Sequence, residues 1–208
     1  MKGRPAGSWS AFQISSMSAQ AISDIKNSAT KETAILAGGC FWCVETIYQK
    51  IEGVGRVLSG YSGGTAETAD YETVCSKTTD HAEAVLVEFD PAVISYAEIL
   101  EIFFTIHDPT TPNRQGNDVG PQYRSAIFYI DDRQKEQAEQ AMADFAPTLW
   151  DDPIVTELNA FDAFYVGEDY HQGYYDRVGD RNPYCNVVIT PKVSKARKTF
   201  AHRMTKDG

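Results

Sequence analysis

The stretch of residues 35–45 constrains the fold most, because it joins an apolar run, a glycine pair and two cysteines spaced CxxC. The apolar run at residues 33–37 predicts a buried strand, and the glycine pair allows a sharp turn after it. Apolar residues recur at helical spacing over residues 44–51, which predicts a helix opening at Cys40. A thiol in the first turn of a helix faces unpaired N–H groups and the positive end of the helix dipole. We therefore expect a depressed pKa for Cys40.

The CxxC spacing is compatible with three kinds of site. A pair of buried structural cysteines is the simplest of these. A glycine turn that opens a helix at a cysteine, however, is typical of reactive thiols. A zinc site needs more ligands; Cys75 with His81 is only a loose candidate, and Cys185 stands alone. A redox pair remains open, because residues three apart on a helix lie close enough to form a disulfide.

Composition limits the classes of protein to which the chain can belong. Its 208 residues are enough for one domain with a real core, and a net charge of -10 argues against nucleic-acid binding. No apolar run approaches the ~20 residues of a membrane span, so no membrane association is expected. Four cysteines are too few for a disulfide scaffold, which favours a reducing compartment, the cytoplasm. Residues 1–31 are interpreted as a mobile tail or leader, with a short helix near residues 19–25, and residues 32–208 as a single catalytic domain.

Downstream patterns predict alternating strands and helices. A capping box, Ser95 with Glu98, opens one of the helices. The order fits an α/β (α+β) two-layer sandwich, a mixed sheet with helices mainly on one face, followed from Phe161 by a long irregular C-terminal segment. The predicted strands are 54–61, 82–89, 123–130 and 154–158, and the predicted helices are 71–75, 96–106, 131–145 and 192–203.

Glu83 occupies an unusual position in the strand predicted at 82–89. If Val85, Val87 and Phe89 face the core, Glu83 lies on their face near the start of the strand. A carboxylate there is costly unless it is paired or protonated, so it tends to have a raised pKa and a function. The alternation leaves equally open that the strand end is frayed and Glu83 is solvated.

The motif Gly39-Cys40-Phe41-Trp42, followed by Glu45, resembles the active-site motif of the A-type peptide methionine sulfoxide reductases. Further motifs similar to those of the family follow in order, so the resemblance runs from about residue 32 to near the C-terminus. These motifs are Gly60-Tyr61-Ser62-Gly63-Gly64 and the stretches 71–74, 81–85, 107–110, 113–120 and 122–125.

The resemblance implies a ferredoxin-like sheet and reduction of the S epimer of methionine sulfoxide, free or in proteins. It also implies a role for each of seven residues. These are Cys40 as the nucleophile that attacks sulfur, Glu83 as the proton donor, Tyr71 and Tyr123 as hydrogen-bond donors to the sulfoxide oxygen, Asp118 as a hydrogen-bonding neighbour of that oxygen, and Phe41 and Trp42 as the wall that receives the S-methyl group.

By the same resemblance, the reaction leaves a sulfenic acid on Cys40, which a second thiol must resolve to a disulfide that thioredoxin then reduces. Cys43 is one helical turn away, whereas Cys185 lies where other members carry their resolving cysteine. Proximity slightly favours Cys43, and both stay open. Cys75 has no matching role. We expect no cofactor, no metal and a monomer.

Two residues depart from the family pattern. Asp80 and Lys77 stand where glycine is usual before the His-x-Glu motif. A carboxylate at Asp80 would raise the pKa of Glu83 further, or would point into solvent with Lys77 as its partner. The two departures mainly affect the expected backbone geometry of the turn that precedes His81.

Two other functions compete with the reductase. A general thiol-disulfide oxidoreductase would use the CxxC alone and would leave Glu83, Tyr71 and Tyr123 without a role. A catalytically silent module that binds oxidised, methionine-bearing peptides would require an unreactive Cys40.

Overall fold

A computed structural model describes residues 17–18 and 30–205 of the chain. Within these residues the main sheet contains β1 (Met17–Ser18), β2 (Glu32–Gly38), β3 (Val54–Ser62), β4 (Ala82–Phe89), β7 (Ser125–Tyr129), β8 (Glu157–Ala160) and β9 (Ala163–Val166), and a small hairpin contains β5 (Arg114–Gln115) and β6 (Asp118–Val119). The α-helices are α1 (Phe41–Tyr48), α2 (Tyr71–Cys75), α3 (Tyr96–Ile106), α4 (Asp132–Gln140), α5 (Tyr174–Val178) and α6 (Thr190–Thr199).

The strand order is β1-β9-β3-β4-β2-β7-β8. Neighbouring strands are antiparallel except for the parallel pair β7 and β8. Helix α1 connects β2 to β3 on either side of β4, and α3 connects β4 to β7 on either side of β2. These two interleaved strand-helix-strand units form the expected ferredoxin-like arrangement.

Strand alternation divides the core between the two faces of the sheet. On one face Leu36 and Val85 pack in a large cluster with residues of α1 and α3, among them Ile47 and Phe103. The opposite face carries a smaller cluster, including Ile35 and Leu86, that contains no residue of a described helix. Successive side chains of a strand point to opposite faces, so the same β2 strand supplies both clusters. The predicted two-layer fold with helices mainly on one face is confirmed.

Most predicted elements form, with differences in the last third of the chain. The strand predicted at 154–158 instead spans Glu157–Ala160, because parallel pairing of Ala126 with Glu157 sets its register. Strand β9 was not predicted from its irregular aromatic sequence. It pairs with β3 at Gly60, where a Cβ atom would lie 2.2 Å from the Tyr165 carbonyl oxygen, so the glycine permits the contact.

Two boundaries also shift. Tyr123 was placed in a strand but ends the short 3₁₀ turn Pro121–Tyr123 that precedes β7. The helix predicted at 131–145 is α-helical as far as Gln140 and continues as a π-helical turn over Ala141–Phe145.

The structure describes residues 17–18 and 30–31 of the predicted N-terminal tail. Met17 and Ser18 pair with Phe164 and Ala163 at the edge of the sheet. The short helix expected near residues 19–25 lies outside the described residues, and the boundary at residue 32 stays a prediction. No helix in the part of the chain described by the structure has the length and apolar character needed to cross a membrane.

Candidate active site

The turn between β2 and α1 depends on its two glycines. A Cβ atom on Gly38 would lie 2.9 Å from the Phe103 ring. Gly39 has a φ of +86°, and a Cβ there would lie 2.5 Å from Cγ of Gln115. The close packing of this turn places Cys40 at the N-cap of α1, as the sequence predicted.

A cavity of about 270 Å³ opens beside Cys40. Its lining contains all seven residues to which the sequence assigned a role, together with Tyr184. The lining residues are Cys40, Phe41, Trp42, Tyr71, Glu83, Asp118, Tyr123 and Tyr184. They come from α1, α2, β4, the β5–β6 hairpin, the turn before β7 and the C-terminal part of the chain, so the cavity exists only in the folded protein.

Glu83 is buried in the cavity wall with 2% of its surface exposed. The prediction that it shares the core face of β4 is confirmed, and the alternative of a solvated strand end is wrong. Burial raises the pKa of this carboxyl, and the neighbouring Cys40 and Asp118 raise it further. One oxygen, Oε2, accepts the Phe41 N–H at 3.1 Å, which opposes the rise. A neutral carboxyl held in this way has a proton available to donate into the cavity.

Asp80 does not contribute to this shift. Asp80 is exposed, and it is not among the charged groups that raise the pKa of Glu83. Lys77 adopts a φ of +65°, a left-handed conformation that glycine adopts readily. The Arg124 guanidinium donates to the Asp80 carbonyl oxygen at 2.8 Å and holds the turn on its other side. The turn therefore forms without the usual glycine.

The pKa expected for Cys40 is wrong. Burial raises it well above its ordinary value, and a hydrogen bond to Cys43 raises it further. The backbone N–H of Cys43 and the Tyr184 hydroxyl lower the pKa of Cys40, but burial outweighs them, and the Phe41 N–H is directed at Glu83. The same thiol hydrogen bond lowers the pKa of Cys43, with help from Lys192. The two thiols therefore form one hydrogen-bonded pair, in which each shifts the pKa of the other.

Hydroxyl groups line the part of the cavity beside Glu83. Burial raises the pKa of Tyr71, Tyr123 and Tyr184, so all three remain protonated donors. The Tyr184 hydroxyl donates to Oδ2 of Asp118 at 2.7 Å and also contacts Cys40, whose pKa it lowers. An oxygen that gains negative charge here would meet the hydroxyls of Tyr71 and Tyr123, whereas Tyr184 already donates its proton to Asp118.

Trp42 is fixed by two partners from the C-terminal segment, which we define as residues 167–190. Its ring stacks on Tyr174 with centroids 3.9 Å apart, and its Nε1–H donates to Nδ1 of His171 at 3.2 Å. Because Nδ1 accepts this bond, His171 is neutral, in agreement with its lowered pKa, which burial causes. Phe41 and Trp42 thus present a rigid apolar wall.

The other two cysteines occupy different surroundings. Cys185 is buried in the same apolar cluster as Cys40 and Cys43, and burial raises its pKa. Cys75 is half-buried and accepts a hydrogen bond from the Tyr71 hydroxyl. Cys43 therefore contacts Cys40 directly, Cys185 shares their apolar cluster and has its pKa raised by Cys40, and Cys75 contacts Tyr71.

Comparison with known proteins matches the family model "Peptide methionine sulfoxide reductase" over residues 32–204. The chain belongs to this family. A peptide methionine sulfoxide reductase MsrA from Chromobacterium violaceum is 50% identical over 172 residues, which cover 82% of this chain and 97% of the relative. One from Sulfolobus acidocaldarius is 53% identical over 169 residues, 81% of this chain and 95% of the relative.

Solved structures of the family have the same fold. Mxr1 from Saccharomyces cerevisiae in its reduced form superposes with a TM-score of 0.67 at 35% identity, covering 74% of this chain and 88% of that protein. Methionine sulfoxide reductase A of Corynebacterium diphtheriae superposes with a TM-score of 0.64 at 32% identity, covering 76% of this chain and 79% of that protein. This peptide methionine sulfoxide reductase is therefore an oxidoreductase that acts on methionine sulfoxide.

Sequence reasoning assigned no role to Tyr184, which lines the cavity of this reductase, to His171, which binds Trp42, or to Glu45, which binds the backbone of the C-terminal segment. Tyr184 precedes Cys185 directly, which was the one local signal that it could reach the cavity. His171 follows a run of aromatic residues that had no periodic pattern. Both contacts join parts of the chain that are more than 60 residues apart, so no local pattern predicts them.

Proposed function

We propose that this chain reduces the S epimer of methionine sulfoxide, free and in proteins, through a sulfenic acid on Cys40. One observation carries the proposal: the Cys40 thiol, a protonated Glu83 and the hydroxyls of Tyr71 and Tyr123 line a single cavity of about 270 Å³. Sulfoxide reduction needs a soft nucleophile for sulfur and an acid for oxygen, and the cavity supplies both.

In the first step, Cys40 attacks the sulfoxide sulfur while Glu83 transfers its proton to the oxygen. The oxygen passes to the Cys40 sulfur as methionine leaves, and the proton lost by the Cys40 thiol restores Glu83. The reaction is balanced, because a sulfoxide and a thiol become a thioether and a sulfenic acid. Tyr71 and Tyr123 donate to the oxygen as its charge grows, and Asp118 orients its surroundings through Tyr184. The wall of Phe41 and Trp42 receives the S-methyl group.

In the second step, Cys43 attacks the sulfenic acid, which releases water and forms a Cys40–Cys43 disulfide. The hydrogen bond between the two thiols and the lowered pKa of Cys43 support this choice, since the attacking species is a thiolate. Cys185 is the alternative resolving thiol. A dithiol protein of the thioredoxin class then opens the disulfide by exchange, which returns two thiols.

The test of the reaction is methionine formation from separate S and R epimers of methionine sulfoxide, first with dithiothreitol and then with thioredoxin. We expect turnover of the S epimer alone, abolished in Cys40→Ser. The matched control is Cys75→Ser, because Cys75 has no role in the proposed steps. Turnover of the R epimer, or an active Cys40→Ser, would contradict the proposal.

The test of the resolving cysteine is peptide mapping by mass spectrometry after one turnover without reductant. We expect a peptide joined through Cys40 and Cys43. A dominant Cys40–Cys185 disulfide would assign the resolving role to Cys185 instead.

The adjacent thiols of Cys40 and Cys43 also favour a second candidate, general thiol-disulfide exchange. It predicts reduction of insulin disulfides at a rate comparable with that of sulfoxide turnover.

We propose in addition that the enzyme is a monomer that works in the cytoplasm, where four free thiols stay reduced. Sedimentation of the full chain and localisation of the tagged full chain test these two points.

A further inference from the structure

Glu45 is a buried carboxyl that the proposed chemistry does not use. It lies on α1, one turn beyond Phe41, and has 0% of its surface exposed. A buried carboxyl is costly unless specific groups compensate it, so its partners indicate its function. The partners that the structure gives it come from β3 and from the C-terminal segment, and none lies in the cavity.

The carboxyl binds the backbone of the C-terminal segment. Oε1 accepts the Gly173 N–H at 3.0 Å, and the nearby Tyr174 N–H helps to lower the pKa of the carboxyl. Trp42 and Glu45 lie three residues apart on α1 and so share one face of it. Trp42 stacks on the Tyr174 ring while Glu45 binds the backbone N–H of the preceding residue, Gly173. The two side chains therefore hold two adjacent residues of the C-terminal segment, one through its ring and one through its backbone.

Tyr174 in turn is connected to the cavity through Asn182. The Asn182 side chain donates to the Tyr174 hydroxyl at 2.8 Å and accepts the Tyr184 N–H at 2.9 Å. The Asn182 carbonyl oxygen accepts the Cys185 N–H at 3.0 Å. Glu45 is therefore connected, through the backbone of Gly173 and Tyr174 and the hydrogen bonds of Asn182, to Tyr184, which contacts Cys40, and to the adjacent Cys185.

We propose that Glu45 is a positioning residue that anchors the C-terminal segment on α1 and thereby seats Tyr184 and Cys185 beside Cys40. The functional part of this inference rests on the proposed function, because it assumes that Tyr184 and Cys185 act at Cys40. The anchoring itself depends only on contacts within the chain. When the anchor is lost, the segment opens and Cys185 becomes accessible while the rest of the core stays closed.

The experiment measures the rate at which each cysteine of the full-length, reduced protein is alkylated by N-ethylmaleimide. The measurement is made at about pH 6, below the pKa of Glu45, so that both glutamate and glutamine offer a neutral acceptor. Peptide mapping separates the four cysteines. Cys43, buried on α1, reports opening of the core, and the half-buried Cys75 reports general reactivity.

In Glu45→Ala the Gly173 N–H loses its acceptor, and we expect Cys185 to be alkylated at least about tenfold faster, with Cys43 and Cys75 unchanged. Glu45→Gln keeps an acceptor of the same shape and should return Cys185 to within about threefold of the native rate. Glu52→Ala removes an exposed glutamate just beyond the same helix and should have no effect. Equal alkylation rates in the native protein and Glu45→Ala would overturn the inference.

A general loss of structure in Glu45→Ala would accelerate the alkylation of Cys43 and Cys185 together. In that case Glu45→Asp distinguishes loss of the anchor from general unfolding. This variant shortens the side chain but keeps the carboxyl, so selective acceleration of Cys185 supports the anchor and its absence overturns it. Methionine formation from the S epimer is followed in the same variants. An inactive native protein would refute the proposed function while leaving the alkylation result intact, which keeps the two failures distinguishable.

Discussion

Replacing Glu45 with glutamine should change how the stability of this enzyme depends on pH. Burial raises the pKa of Glu45 from its ordinary 4.5 to about 7, and the N–H groups of Gly173 and Tyr174 only partly offset this. The native state therefore binds a proton more tightly than the unfolded chain. The stability contributed by this proton is fully present below about pH 4.5 and is lost as the pH rises through about 7.

The rise in the Glu45 pKa corresponds to about 3 kcal/mol of free energy of unfolding. Glutamine has no proton to lose, so the difference between the two proteins should grow with pH. We expect Glu45→Gln to be more stable than the native protein by less than about 1 kcal/mol near pH 5 and by about 3 kcal/mol above pH 8. A domain of this size would gain roughly 5 to 10 °C in Tm at the higher pH.

The assay is urea unfolding of both proteins, reduced, at about pH 5 and about pH 8.5. All other titrating groups are common to the two proteins, so the change in their difference isolates Glu45. The exposed Glu52→Gln provides the matched control and should show no change. An equal difference at both pH values would refute the reasoning, because it would mean that the pKa of Glu45 in the native state is not raised above its value in the unfolded chain.

Three further predictions concern the cavity and the core. Glu83→Gln should slow single-turnover methionine formation by roughly 100- to 10,000-fold, because the amide cannot act as the acid, and a near-native rate would exclude Glu83 from that role. Tyr184→Phe removes the donor to Asp118 and should lower kcat roughly 5- to 30-fold, the equivalent of about 1–2 kcal/mol; an unchanged kcat would make this bond incidental. Leu36→Ala, in the fully buried centre of the sheet, should cost about 2–5 kcal/mol in urea unfolding, whereas Val187→Ala, 72% exposed, should stay within about 0.5 kcal/mol of the native protein.

The local elements follow from short-range patterns in the sequence. The capping box of Ser95 and Glu98 forms, and α3 begins where it predicts. The alternation of β4 places Glu83 on the buried face with Val85, because successive residues of any strand face opposite sides. The register of a strand does not follow from such short-range patterns, because it depends on the partner strand. Strand β8 was displaced by its pairing with β7, and β9 was missed because Gly60 accommodates it from a distant part of the chain.

The order of motifs in the sequence was enough to indicate the family and the seven cavity residues, and the fold and the comparisons confirm the family. Only the tertiary structure determined the electrostatics. The helix N-terminus predicts a low pKa for Cys40, yet burial and the bond to Cys43 reverse the direction. Tyr184 and the anchor at Glu45 also emerged only in the fold, through contacts that span 66 and 128 residues. Secondary structure is determined by neighbours along the chain, whereas desolvation and charge interactions depend on what folding brings together in space.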